Sequence, residues 1–268
     1  MSVLDFRLRI PPRLPGGGSR SWRLVERNLA SSREGWLVVV SGFFEPLFFL
    51  VALGIGVGAL VGEIDVGGRF VSYREFVAPA LLAASAMNGP VYEAGNVFFK
   101  LKYARTYDGV LATPLSVRDV ALGELLYTLM RGAVYAAGFV CVMLALGLVA
   151  SPWALLALPA SVLVCAAFAA AALYGTTLMR SWADFAVIEV CTLPMFLFSA
   201  TFVPPDEYPE AARWLLPLTP LYHGVELLRA FTLGDVKPVV LANVGYLAAM
   251  TLVFYALADR RLAKLLLR

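Results

Sequence analysis

Long apolar stretches separated by short polar segments run along most of the chain, and they predict membrane-spanning helices. A helix needs about 20 mainly apolar residues to cross a bilayer, and windows of that length recur with polar interruptions between them. They predict six spans, at residues 36–61, 75–99, 119–149, 153–179, 184–203 and 238–258. The expected fold is therefore an all-α membrane protein with a single transmembrane domain over residues 36–268.

The 35 residues before these spans form a basic leader that we expect to lie in the cytoplasm. After a Pro- and Gly-rich breaker at residues 11–19, helical periodicity places Trp22, Val25, Leu29 and Trp36 on one stripe, with arginines across from it. This pattern is typical of an amphipathic helix lying in the membrane interface. A plain solvated helix is the alternative.

The segment between the fifth and sixth spans, residues 198–235, has a mixed character. It is too apolar for an ordinary loop, yet prolines at 204, 205, 209, 217 and 220 forbid one straight helix. Two short re-entrant helices, near residues 210–216 and 221–231, would satisfy both facts if protein covers their irregular backbone.

Composition and charge strengthen the membrane interpretation and give it an orientation. The chain is 60% hydrophobic and 15% charged, which would leave a soluble domain of this length with excess apolar surface. With the N-terminus inside, the leader arginines and most other basic residues fall on the inner side, and few fall on the outer side. This bias predicts that both termini are cytoplasmic.

Five ionisable side chains fall inside the predicted spans, where charge is costly and marks a functional candidate by default. At a rise of about 1.5 Å per residue the carboxylates share one inner-leaflet layer, roughly 8 to 14 Å from the inner ends of their spans. We expect an intramembrane polar seam around a substrate cavity or a dimer contact; structural pairs or snorkelling groups are the alternative. Its members are Glu45, Glu93, Glu124, Arg131 and Glu189.

The longest inner connection, residues 100–118, reads KLKYARTYDGVLATPLSVR and mixes basic and aromatic residues. Its aromatic content predicts a short helix that docks on something cytoplasmic. A solvated basic loop is the alternative, and its charge would in either case favour anionic headgroups.

Three stretches resemble the ABC-2 type permeases. They are FFEPLFFLVALGIGVG at residues 43–58, YDGVLATPLSVRDVALGELL at residues 107–126, and the proline-broken outer segment, whose matching positions are Phe202, Pro204, Pro217, Pro220 and Arg229. Within that family the chain resembles the nodulation-factor exporter permeases and the daunorubicin-type drug exporter permeases.

The resemblance implies a subunit composition and separate roles for two segments, which composition alone does not indicate. It implies two six-span permeases, identical or closely paralogous, with two separate ATPase subunits in the bacterial cytoplasmic membrane. The loop after span two would couple to the ATPase through Lys100, Lys102, Tyr103, Arg105, Tyr107 and Asp108. The outer re-entrant helices would gate the exit, with His223, the single histidine, beside the matched positions.

The chain lacks the chemistry of an enzyme that hydrolyses ATP. None of its four lysines follows a glycine, so no phosphate-binding GxxxxGK[ST] loop exists. ATP and Mg²⁺ would belong to the partner subunit, and we expect no cofactor in this chain. Three scattered cysteines and one histidine predict no metal site, and no nucleic-acid partner is expected.

The expected function is export of an amphipathic, lipid-linked or drug-like molecule from the cytoplasm or inner leaflet. A secondary carrier is one alternative, but it would more often show inverted repeats, and none is evident here. A membrane-embedded lipid-modifying enzyme is the other. Its pattern would need further aspartates after Asp108 and Gly109, and residues 113–118 supply none.

Overall fold

The computed structural model describes residues 20–32, 44, 47–66 and 68–267, and most of these residues are helical. The helices are α1 (Arg20–Ser32), α2 (Leu47–Val61), α3 (Tyr73–Lys102), α4 (Thr106–Leu111), α5 (Val117–Ala145), α6 (Ala157–Leu178), α7 (Phe185–Phe198), α8 (Glu210–Arg213), α9 (Pro220–Leu233) and α10 (Val239–Leu266). Strands β1 (Glu63–Val66) and β2 (Arg69–Ser72) form an antiparallel hairpin. Short 3₁₀ turns cover Pro152–Leu156, Trp182–Asp184, Pro205–Glu207 and Leu216–Leu218.

The helical membrane character predicted from the sequence is confirmed. Within the described residues, three helices are long and apolar enough to cross a bilayer: α5, α6 with the 3₁₀ turn before it, and α10. Helix α3 overlaps the predicted second span and is about 45 Å long. The number six stays a prediction, because residues 36–43, 45 and 46 of the predicted first span lie outside the described residues.

Helix α7 is shorter than the predicted fifth span at residues 184–203. It has 14 residues, a length of about 21 Å. Ser199 ends it, and Ala200 takes a left-handed φ of 55°, a conformation that an α-helix cannot continue. The helix therefore ends within residues 196–203, FLFSATFV, where the sequence has neither a proline nor a glycine to mark its end.

Local side-chain chemistry fixes where two long helices begin. The Ser72 hydroxyl accepts a hydrogen bond from the Glu75 amide and the Glu75 carboxylate accepts one from the Ser72 amide, which makes a capping box at the start of α3. Ser116 and Asp119 form the same box at the start of α5. These caps satisfy helix amides that would otherwise lack partners.

Helix α6 is the centre of the bundle and packs against α3, α5, α9 and α10. Its neighbours approach closely because small residues face it. A Cβ added at Gly132 of α5 would lie 2.5 Å from the Cys165 sulfur, and one at Gly224 of α9 would lie 2.9 Å from Val164. Small residues at helix contacts are the usual means of tight packing in a membrane bundle.

The two ends of the bundle differ in structure. One end carries the β-hairpin, and we call it the hairpin end. Arg69 donates a hydrogen bond of 2.7 Å to the carbonyl of Leu233 and fixes the hairpin against α9. The sequence analysis did not predict this hairpin. At the other, the basic end, α1 and α4 lie against α5, and Arg118 pairs with Asp259 of α10.

Helix α1 packs against α5 with a different face from the predicted apolar stripe. The buried residues are Ser21, Leu24, Val25 and Asn28, whereas Trp22 and Leu29 are each 46% exposed. Of the predicted stripe only Val25 packs against the bundle; the interfacial position of this helix stays a prediction, and Trp36 lies outside the described residues. Neighbouring surfaces, not the helical projection alone, decide which face is covered.

Replacement of Gly123 by alanine should loosen α1 from α5. A Cβ there would lie 2.7 Å from the Leu24 Cβ and 2.9 Å from the backbone oxygen of Ser21, which cannot move without the helix. We expect a loss of about 1 to 3 kcal/mol in the free energy of unfolding, measured by detergent titration, and faster tryptic cleavage in α1. Gly245→Ala is the control, because nothing lies within 4 Å of its added Cβ; equal behaviour of the two variants would contradict the prediction.

Candidate functional site

A buried carboxylate at the basic end joins four helices. Glu124 of α5 accepts hydrogen bonds from Asn28 Nδ2 of α1 at 2.9 Å, from Lys100 Nζ of α3 at 3.0 and 3.2 Å, and from the Tyr107 hydroxyl of α4 at 3.0 Å. Lys100 also donates to the Asn28 side-chain oxygen at 3.3 Å. We call these four residues the polar hub.

The polar hub is buried, so its charged and polar groups need hydrogen-bond partners within the protein. Glu124 is 2% exposed and Asn28 4% exposed, and a buried charge is tolerated only when it is paired and hydrogen-bonded. Burial, followed by the negative charge of Glu124, raises the pKa of the Tyr107 phenol well above its usual range. Tyr107 therefore stays protonated and remains a donor to Glu124.

The predicted coupling residues divide between the hub and the surface. Lys100 and Tyr107 point inward, whereas Lys102, Tyr103, Arg105 and Asp108 are exposed. Arg105 has a left-handed φ of 45° at the start of α4, a backbone conformation that is sparsely populated for residues with a Cβ. The connection thus has a buried side that fixes it to the bundle and a charged, aromatic side that faces outward.

A second charged group lies farther along α3 and α5. Arg131 forms an ion pair with Glu93, which is 4% exposed, and donates a hydrogen bond of 2.9 Å to the Tyr135 hydroxyl. Asn96 donates to Glu93 at 3.2 Å. The Arg131 Nε is buried and has no hydrogen-bond partner among the described residues.

Arg131 faces a cavity of about 880 Å³ between α2, α3, α5 and α7. Its lining residues on α3 include Leu81, Asn88 and Tyr92, and those on α7 include Glu189 and Phe196. Ligand sites are usually concave, mainly apolar and of this size, with a few polar groups. Glu189, which is exposed, lines the same cavity as Arg131, and the role of the predicted seam stays a prediction.

The charged residues of the predicted seam therefore lie in two separate groups. Arg131 and Glu189 line the cavity and the buried Glu93 pairs with Arg131, whereas Glu124 bonds with Lys100 nearer the basic end. Glu45 lies outside the described residues. The sequence missed Asn28, Asn88, Tyr127 and Tyr135; the two tyrosines stand four residues before and after Arg131, a spacing that places all three on one helix face.

The predicted gate residues lie together at the hairpin end. Phe202 packs edge-on against Phe196 with ring centroids 5.0 Å apart. Pro204 precedes the 3₁₀ turn at Pro205–Glu207, and Pro220 is the first residue of α9, a position that tolerates the missing amide. The outer segment thus combines short turns with one regular helix; its re-entrant depth stays a prediction.

His223 connects the outer segment to α10. Its Nε2 lies 2.9 Å from the Pro217 carbonyl oxygen and its Nδ1 2.8 Å from the Asn243 side-chain oxygen, while its ring stacks on Tyr246 at 4.0 Å. A carbonyl only accepts, so Nε2 carries a proton.

Arg229 is the buried cation of the outer segment. It is 4% exposed, and its guanidinium lies 3.8 Å from the centroid of the Phe76 ring. It donates hydrogen bonds to the Ala200 carbonyl at 2.9 Å and to Glu226 at 3.1 Å. One side chain therefore joins α9, the start of α3 and the turn after α7.

A helical membrane protein with a cavity among its helices, and with no phosphate-binding loop in its sequence, has the features of a membrane transporter subunit. The chain belongs to the ABC-2 type transporter family, whose model matches residues 20–233. It is thus a transmembrane transport subunit and not itself an enzyme, and its family works with an ATP-binding subunit.

Curated relatives agree along nearly the whole length. The chain is 32% identical over 256 residues to nodulation protein J of Rhizobium leguminosarum bv. trifolii, covering 94% of this chain and 96% of that protein. It is 28% identical over 257 residues to nodulation protein J of Rhizobium meliloti strain 1021, covering 95% and 97%. The predicted resemblance to this family is confirmed.

Proposed function

We propose that this chain is the permease subunit of an ATP-driven exporter in the bacterial cytoplasmic membrane. It moves an amphipathic, lipid-linked or drug-like molecule outward from the cytoplasm or inner leaflet, with ATP and Mg²⁺ held by a separate subunit. Two permease copies, identical or paralogous, assemble with two ATPase subunits. The basic end faces the cytoplasm, in keeping with the positive-inside bias.

The observation that carries this proposal is the mixed lining of the cavity. Its walls carry the polar side chains of Asn88, Tyr92, Arg131 and Glu189 beside the apolar side chains of Phe49, Leu81, Leu193 and Phe196. An amphiphile has a polar head and an apolar chain, so a lining of both kinds suits such cargo.

The exposed side of the α3–α5 connection is suited to the ATPase subunit. Lys102, Tyr103, Arg105 and Asp108 offer charge and aromatic area, and the polar hub holds the segment rigidly to α1, α3 and α5. A rigid attachment is what would let movement of the ATPase reach the spans. The outer segment, fixed by Arg229 and His223, would then open and close the exit.

The double variant Arg131→Met with Glu93→Gln should impair export more than assembly. Removing both members of the ion pair avoids an unpaired buried charge, while a charged hydrogen bond to cargo is worth about 1.5 to 3 kcal/mol. We expect transport to fall about tenfold or more. The measurement is ATP-dependent leaflet transfer of a fluorescent short-chain glycosylceramide by the permease–ATPase complex in liposomes.

Lys237→Met is the matched control, because Lys237 forms an exposed pair with Asp235 and neither residue lines the cavity, and it should transport normally. Failure of any ATPase subunit to co-purify with the permease would overturn the proposed function. Loss of assembled protein in the double variant, with no transport defect per assembled complex, would make the pair structural.

A further inference from the structure

One aromatic ring lies between the cavity and the polar hub. Tyr127 of α5 is 4% exposed. The Arg131 guanidinium carbon is 5.9 Å from its ring centroid, and the Lys100 ammonium nitrogen is 5.8 Å from the same centroid. Both distances fall within the range in which a cation is attracted to a ring.

The two cations belong to different sites. Arg131 lines the cavity and pairs with Glu93, whereas Lys100 pairs with Glu124 in the polar hub. A continuous series of contacts therefore runs from the cavity through Arg131, Tyr127 and Lys100 to Glu124. At its far end Glu124 holds Tyr107 of the α3–α5 connection.

We infer that Tyr127 is a positioning residue that couples the cavity to the ATPase-facing connection. This inference rests on the proposed function. A shift of Arg131 toward cargo changes the field at the shared ring, and Lys100 responds by changing its bonds with Glu124. By reciprocity, movement of the connection by the ATPase alters the cavity.

The ring, and not the hydroxyl, carries this role. Attraction of both cations comes from the negative face of the aromatic system, which phenylalanine shares with tyrosine. Tyr127→Phe should therefore preserve coupling, whereas Tyr127→Leu should remove it while still filling much of the space. The ring does not line the cavity, so neither change removes a cargo contact.

The test follows the cavity while the nucleotide state of the partner is changed, and needs no identified cargo. Cys141 and Cys191, the two exposed cysteines, are replaced by serine, and Thr192→Cys places a reporter thiol on the cavity wall. Maleimide labelling of the permease–ATPase complex in nanodiscs is timed with and without ATP and vanadate. We expect the labelling rate to change at least about fivefold with nucleotide in the parent and in Tyr127→Phe.

In Tyr127→Leu the ATPase should bind and hydrolyse ATP as in the parent, but the labelling rate should no longer respond to nucleotide. Phe139→Leu controls for loss of a buried ring on the same helix, since Phe139 is 1% exposed, and it should respond as the parent does. A nucleotide response in Tyr127→Leu, or its loss in Tyr127→Phe, overturns the inference. A parent complex that assembles but shows no response also overturns it, whereas failure of the ATPase to bind overturns the proposed function instead.

Discussion

Glu124→Ala is expected to cost about 3 to 5 kcal/mol in the free energy of unfolding, because it leaves the Lys100 ammonium without its buried counter-charge. Asn28 and Tyr107 lose their acceptor at the same time. Detergent titration of the purified permease measures this loss. Tryptic cleavage in α1 and in the α3–α5 connection should accelerate in parallel, since both are held by this carboxylate.

Two further variants separate charge from packing. Glu124→Gln with Lys100→Met removes both charges, so it should be more stable than Glu124→Ala. Glu26→Ala removes a partner from the exposed Arg23–Glu26 pair on α1, and surface pairs contribute about 1 kcal/mol or less. A Glu124→Ala loss no larger than that of Glu26→Ala would contradict a central role for the polar hub.

The sequence predicted the parts of this molecule that depend on local pattern. Long apolar runs predicted α5, α6 and α10, and proline spacing predicted that the outer segment would be broken into short helices near α8 and α9. These features follow from hydropathy and from the missing amide of proline, both of which can be read in one window.

Features that depend on contacts between distant residues could not be predicted in the same way. Glu124 and Lys100 are 24 residues apart, and their pairing depends on how α3 and α5 pack. The same holds for Leu24, whose burial depends on the absence of a side chain at Gly123. The sequence identified the intramembrane charges as candidates, but their partition between the cavity and the hub required the helix arrangement.

Arg229→Met is expected to destabilise the outer segment by about 3 kcal/mol or more. A desolvated cation–π contact is worth about 2 kcal/mol, and the Ala200 carbonyl left without its donor adds about 1 to 3 kcal/mol. The stability of Arg229→Lys should lie between those of the parent and Arg229→Met. An ammonium keeps the charge, but it lacks the planar group that stacks on Phe76 and donates hydrogen bonds in two directions. Detergent titration of the three proteins gives the order.

Arg213→Met is the matched control within the same segment, because the Arg213 side chain is exposed and its hydrogen bonds go to nearby carbonyls of Asp206 and Tyr208. It should stay within about 0.5 kcal/mol of the parent. If Arg229 closes the exit as well as stabilising it, assembled Arg229→Lys complexes should hydrolyse ATP at the parent rate yet leak the fluorescent glycolipid without ATP. If Arg229→Lys leaks no more glycolipid than the parent, Arg229 does not close the exit. Its role is then only to hold α9, α3 and the turn after α7 together.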